Sequence, residues 1–95
     1  MYRMIETFTC NKSLLLNAVY DAAELKRYEM KWTDSRTGEM NLKIGNQICH
    51  LLVIPDRLNQ NVNLQLIAAS DDTSTKESIR DFLKEIDGLV RGGVS

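Results

Sequence analysis

Apolar side chains recur at two periods along this chain, and the switches between them divide it into elements. The clearest helical period lies in residues 73–93, where Ile79, Phe82, Leu83, Ile86, Leu89 and Val90 follow one another at spacings of three and four. At 100° per residue they form one stripe, with Arg80, Asp81, Lys84, Glu85 and Asp87 on the opposite face. Ser74 and Glu77 have the spacing of a capping box, and Gly92 stands where a C′ residue would stop the helix. A second stripe of Leu15, Ala18, Val19, Ala22 and Leu25 predicts a helix over residues 12–28, with Asn11 as N-cap. Lys26 and Arg27 near its end complement the helix dipole.

The intervening stretches alternate with a period of two. Residues 2–10 read as a strand with Tyr2, Met4, Phe8 and Cys10 on one face and Arg3, Ile5, Thr7 and Thr9 on the other. Glu6 interrupts the first face. It marks a strand end, a bulge or an edge position reaching solvent, or else a carboxylate held in a cavity where desolvation raises its pKa. Residues 29–33 are read as a strand, not as further helix, because Met30 and Trp32 alternate with Glu29 and Lys31. Residues 34–38 carry turn chemistry. Residues 39–44 alternate cleanly, with Met40, Leu42 and Ile44 facing one way and Asn41 and Lys43 the other. Gly45-Asn46 is a two-residue hairpin signal. Residues 47–54 form a strand closed by Pro55, and a polar loop over 55–61 follows. Residues 62–69 make the last strand, with Val62, Leu64, Leu66 and Ala68 sharing a face.

The order β-α-β-β-β-β-α over residues 1–95 predicts a single α+β domain. Its core is one antiparallel sheet of about five strands with both helices packed on one face. This order is similar to the TATA-binding-protein-like arrangement. It is also similar to a shortened helix-grip domain, in which a long C-terminal helix lies across a curved sheet. The helix-grip resemblance implies a site for a small apolar ligand between sheet and C-terminal helix, lined by Met4, Phe8, Trp32, Met40 and Phe82. The TATA-binding-protein-like resemblance suggests nucleic acid on the open sheet face, where Thr7, Asn41, Lys43, Asn63 and Gln65 have suitable polar groups.

A two-residue turn at Gly45 and Asn46 fixes a register that pairs Ile44 with Gln47, Lys43 with Ile48, Leu42 with Cys49, Asn41 with His50 and Met40 with Leu51. Met40, Leu42, Cys49, Leu51 and Val53 then face the helices. Asn41, Lys43, Ile48, His50, Leu52 and Ile54 face outward, with Ile5, Thr7, Asn63, Gln65 and Ile67 able to join them. The partner-binding candidates are Ile48, His50, Leu52 and Ile54, rimmed by Asn41 and Lys43, because an apolar stripe on an exposed sheet face marks an association surface.

Composition narrows the choice. Ninety-five residues support one modest core, burying about 60–68% of the unfolded surface. Twelve Lys and Arg against 13 Asp and Glu give a net charge of −1, which exerts no field on nucleic acid or an anionic membrane. No apolar run approaches the ~18 residues of a membrane span, and residues 1–6 lack a signal core, so a cytoplasmic location is expected. Cys10 and Cys49 are read as apolar thiols of a reducing compartment. The sequon-like Asn11-Lys12-Ser13 is read as chance.

Catalytic and metal motifs are missing. The glycines form no phosphate cradle, one histidine cannot make HExxH, and two lone cysteines cannot close a zinc site, so no cofactor or metal is expected. Asp71-Asp72 precedes the last helix and suits capping. Cys49 and His50 suggest a nucleophile and base, but adjacent strand residues point to opposite faces. The expectation is a small non-enzymatic module that associates through its sheet face, most simply as a homodimer. An apolar-ligand binder and an enzyme of unknown reaction are the alternatives. His50 is read as a sheet-face residue paired with Asn41, with pH-dependent partner binding as the lesser alternative.

Overall fold

Three hairpin connections and one helical crossover build a single five-stranded antiparallel sheet. The computed structural model describes residues 1–92. In chain order these form β1 (Tyr2–Phe8), α1 (Lys12–Leu25), β2 (Glu29–Asp34), β3 (Glu39–Ile44), β4 (Gln47–Asp56), β5 (Asn61–Ala68) and α2 (Thr73–Gly92). Across the sheet the order is β1-β5-β4-β3-β2, so the first strand closes against the last and α1 carries the chain from one edge to the other. The two helices pack against each other and cover one face.

The hairpin register is the one the Gly45-Asn46 turn dictates, with Lys43 opposite Ile48, Asn41 opposite His50 and Met40 opposite Leu51. Gly45 sits at φ +64°, the left-handed position that such a turn demands. Met40, Leu42, Cys49, Leu51 and Val53 are buried beneath the helices, as are Val62, Leu64, Leu66 and Ala68 of β5. From α2, Ile79, Phe82, Leu83, Ile86 and Val90 are buried, while Leu89 is half-buried at the margin. Each such large side chain contributes about 1.5–3 kcal/mol on full burial. Phe82 also meets the ring of Tyr28 edge-on, with centroids 5.5 Å apart.

Most element ends differ from the sequence expectation, each for a local reason. Helix α1 keeps Asn11 as its N-cap, whose Oδ1 accepts from the Leu14 N–H at 2.7 Å. It ends at Leu25, short of residue 28, because Arg27 adopts φ +59°. The Arg27 N–H then donates to the Glu24 carbonyl (3.0 Å) and the Tyr28 N–H to the Ala23 carbonyl (2.9 Å), a Schellman closure. An arginine fills the position that glycine ordinarily marks, so the sequence shows no stop there. At the other helix, Asp72 is the cap, and the Ser74–Glu77 box is not used. Asp72 Oδ1 accepts from the Thr75 N–H at 2.7 Å, and its carbonyl accepts from the Lys76 N–H. Gly92 is helical and not a C′ stop. Gly93, the end of the periodic stretch, lies outside the described residues.

Strand β1 stops at Phe8, before Thr9 and Cys10. Strand β4 runs through Pro55 to Asp56, and Pro55 pairs with Val62. The ladder between β3 and β4 has ended by then, at Glu39 and Leu52, so a residue without an N–H costs little there. In β2 a bulge between Met30 and Trp32 shifts the register, pairing Met30 with Leu42 but Trp32 with Asn41. The two apolar residues, expected on one face, thus lie on opposite faces.

Gly38 closes the β2–β3 turn at φ +79°, and an added Cβ would lie 2.6 Å from the Val53 carbonyl oxygen. The two left-handed positions therefore respond oppositely. Gly38→Ala loses about 2 kcal/mol or more by combining a collision with backbone strain. Arg27→Gly gains about 0.5–1 kcal/mol by removing strain in open surroundings. Urea unfolding of both variants measures the pair of signs.

Acid sensitivity follows from Asp72. Hydrogen bonds from the Thr75 backbone, the Thr75 side chain and Ser70 hold its carboxyl below the usual aspartate range in the folded protein. Stability from this cap is present at neutral pH and is lost as pH falls through the aspartate range, since the unfolded chain binds the proton first. Asp72→Asn keeps a capping oxygen but removes the titration, so its unfolding midpoint changes less than that of the wild type between about pH 6 and pH 3.

Candidate functional site

Helices cover one face of the sheet, and the other face carries the candidates. Tracing the pairings across the strands gives a row Arg3, Ile67, His50, Asn41 and Trp32. The neighbouring row is Ile5, Gln65, Leu52, Glu39 and Asp34. Thr7, Asn63 and Ile54 form a third, and Ile48, Lys43 and Glu29 a fourth. All six residues singled out in the sequence, Ile48, His50, Leu52, Ile54, Asn41 and Lys43, lie on this face, as do Ile5, Thr7, Asn63, Gln65 and Ile67. Ile5 is 61% exposed, Ile48 48%, Trp32 47% and Ile54 41%, so these are accessible side chains and not the margin of a core. Leu52 and Ile67 are half-buried between them.

Trp32 is the residue that sequence reasoning misplaced. Strict alternation puts it beside Met30 under the helices, whereas the bulge at Lys31 turns it outward next to Asn41. The signal available in the sequence is the charge pattern around it, Glu29, Lys31 and Asp34, which suits an exposed edge strand better than a buried one. Glu29 and Lys31 pair at 3.1 Å across the bulge, and Asp34 holds Arg36 at 3.4 Å.

Polar groups on the face are tied to one another. Thr7 Oγ1 donates to Asn63 Oδ1 at 2.7 Å across β1 and β5. His50 Nδ1 lies 3.0 Å from Asn41 Oδ1, and its Nε2 lies 3.8 Å from Glu39 Oε2. The imidazole thus bridges a neutral amide and a carboxylate, both supplied by β3.

The space beneath the sheet offers less for chemistry. Phe8, Met40 and Phe82, expected to line a ligand pocket, are buried within the core, Met4 packs at its edge, and Trp32 is outside it. Among the described residues no polar or charged residue is buried, so no carboxylate, imidazole or amine is held in a dry cavity. Glu6 is half-exposed in a shallow groove with Met4, Arg80, Leu83, Lys84 and Asp87, which corrects the reading of a carboxylate inside a cavity. Its place on edge strand β1, pointing toward the helical side, is that of an inward charge that discourages strand addition.

Cys49 is buried beneath the helices while His50 faces out, so the two do not meet. Burial pushes both the Cys10 and the Cys49 thiol up, away from the thiolate that nucleophilic chemistry needs. Among the described residues no cluster of three or more His, Cys, Asp or Glu is placed to hold a metal ion. No helix there is long and apolar enough to cross a membrane. No protein-family model matches the chain, and no curated protein matches it.

The bulge has a direct optical signature, because Trp32 is the sole tryptophan. In dilute solution its emission should be that of a water-exposed indole, and acrylamide should quench it efficiently. A blue-shifted, protected emission under those conditions would place Trp32 under the helices and remove the bulge.

Proposed function

We propose that this protein is a small non-enzymatic association module that pairs with a second copy through the outer face of its sheet. The observation that carries this reading is the set of Ile5, Trp32, Ile48, Leu52, Ile54 and Ile67 on one uncovered, regular surface. Large apolar side chains gathered on one exposed sheet face, even among polar ones, support an association role. Trp32 supplies the kind of aromatic anchor that dominates interface energetics.

Size and charge favour a second copy. Five strands about 4.8 Å apart and roughly 20–25 Å long present roughly 500 Å² in projection. Side-chain relief raises the accessible area toward about 600 Å² per partner, the lower end of a standard interface. Charges on and around the face are of both signs, with Arg3, Lys31 and Lys43 against Glu29, Asp34 and Glu39, so an isologous contact can satisfy itself. The same balance gives little attraction for a polyanion such as nucleic acid. An apolar-ligand site has less support, because the side chains that would line it are packed as core. The two free cysteines fit a reducing compartment such as the cytoplasm.

An interface of this size predicts a reversible, concentration-dependent dimer. Light scattering across a concentration series should show the mass rising from monomer to dimer, with a parallel blue shift of Trp32 emission. Leu52→Lys places a charge at the centre of the face and should stay monomeric while its circular dichroism remains native. A wild type that stays monomeric at high concentration with unchanged Trp32 emission would overturn this function.

A further inference from the structure

The central row of the face contains an imidazole between an amide and a carboxylate. His50 is the only histidine, on β4, flanked by Ile67 of β5 and Asn41 of β3. With Asn41 Oδ1 as acceptor, Nδ1 carries the proton of the neutral ring. The bare Nε2 then looks toward the Glu39 carboxylate, 3.8 Å away. Two acceptors face each other there, and in the free protein water can mediate between them. Protonating the ring turns Nε2 into a donor and makes the contact an ion pair.

Resting on the association proposed above, we infer that dimerisation through this face is coupled to proton uptake at His50, with Glu39 as the group that makes the coupling favourable. Covering the face withdraws solvent from Nε2 and Glu39, which are now partly exposed. A neutral ring then leaves a desolvated carboxylate opposite a lone pair, which is costly. A protonated ring pairs with it and leaves no net charge on the pair. The dimer therefore prefers the protonated ring, and linkage requires association to tighten as pH falls through the imidazole range.

The other charged groups on the face lie farther from the ring than Glu39, and the cations among them oppose its protonation. From β3, Lys43 is diagonal to His50 and opposes protonation; Glu29 of β2 lies opposite Lys43 but is paired with Lys31. From β1, Arg3 lies beyond Ile67 in the same row. Asp34 of β2 is opposite Glu39 but is engaged by Arg36. β5 presents Asn63, Gln65 and Ile67, none of them ionisable, and Asp56 lies at the far end of β4. Glu39 is the acid in contact with the ring.

The test is the dimer dissociation constant by sedimentation at about pH 6 and about pH 8, at constant ionic strength. The wild type should bind itself at least about tenfold more tightly at the lower pH, as uptake of up to one proton per protomer allows. His50→Gln should associate with little change between the two pH values, which separates the ring from the α-amino group common to both proteins. Glu39→Gln should invert the trend, because a buried imidazolium then lacks its counterion. A merely structural role for Glu39 would weaken association without reversing its sign. A wild-type dimer with equal affinity at both pH values would overturn the coupling while leaving the association surface intact. A wild type with no dimer at either pH would overturn both.

Discussion

Burial of the α2 stripe against one face of the sheet is the constraint on which the rest depends. Ile79, Phe82, Ile86 and Val90 need an apolar floor, and Met40, Leu42, Leu51, Val53, Leu64 and Leu66 supply it. Because side chains alternate along a strand, choosing which residues meet the helix also chooses which residues face water. In β4 that choice fixes Cys49, Leu51 and Val53 inside and Ile48, His50, Leu52 and Ile54 outside. A strand rich in apolar residues at every position has no register that buries them all under one helical layer. The exposed face is therefore a forced consequence of the core, and its apolar content is what needs a role.

The sheet's edges bear on where that role lies. Strand β2 carries a bulge and an alternation of Glu29, Lys31 and Asp34, all of which hinder a further strand from docking. Strand β1 points Glu6 toward the helical side, into a groove that it shares with Arg80, Lys84 and Asp87. A strand added there would have to desolvate this cluster. Both edges thus carry devices against pairing, whereas the flat outer face carries none beyond its polar pairs. That contrast supports the proposed association by face over association by edge.

Much of the architecture was legible in the chain, because its strongest signals are periodic. The α2 stripe, the alternation in β3 and β5 and the Gly45-Asn46 turn each state a period or register, and the structure reproduces them. What was not legible came from single-residue events. Arg27 takes a left-handed conformation that its side chain does not advertise. One extra residue at Lys31 changes the face of Trp32, and no composition rule marks where a bulge falls. Asp72 competes with Ser74 for the same cap, and the choice depends on how the chain leaves β5. There Gln47 holds Thr75 with its amide nitrogen (2.6 Å) and accepts from the Ser70 N–H (3.0 Å) with its oxygen. The outer-face residues were readable because they follow from register. The most informative of them, Trp32, was hidden because it depends on the bulge.

The mixed character of the outer face also bears on how it can associate without aggregating. Its apolar residues are separated in every row by polar ones, so no long dry stripe is presented to an arbitrary partner. Two polar pairs of the face are made within one protomer, Thr7 with Asn63 and Asn41 with His50. A buried polar group is expensive chiefly when its partner is lost, and these pairs keep theirs when the face is covered. Covering them therefore costs less than covering the same groups in water-dependent arrangements, and the ordering of their side chains has largely been met by folding. Glu39 makes no such bond to His50, with its Oε2 3.8 Å from Nε2. Under the association proposed above, covering the face would take this partly exposed carboxylate out of water, a cost that only a charged partner can offset.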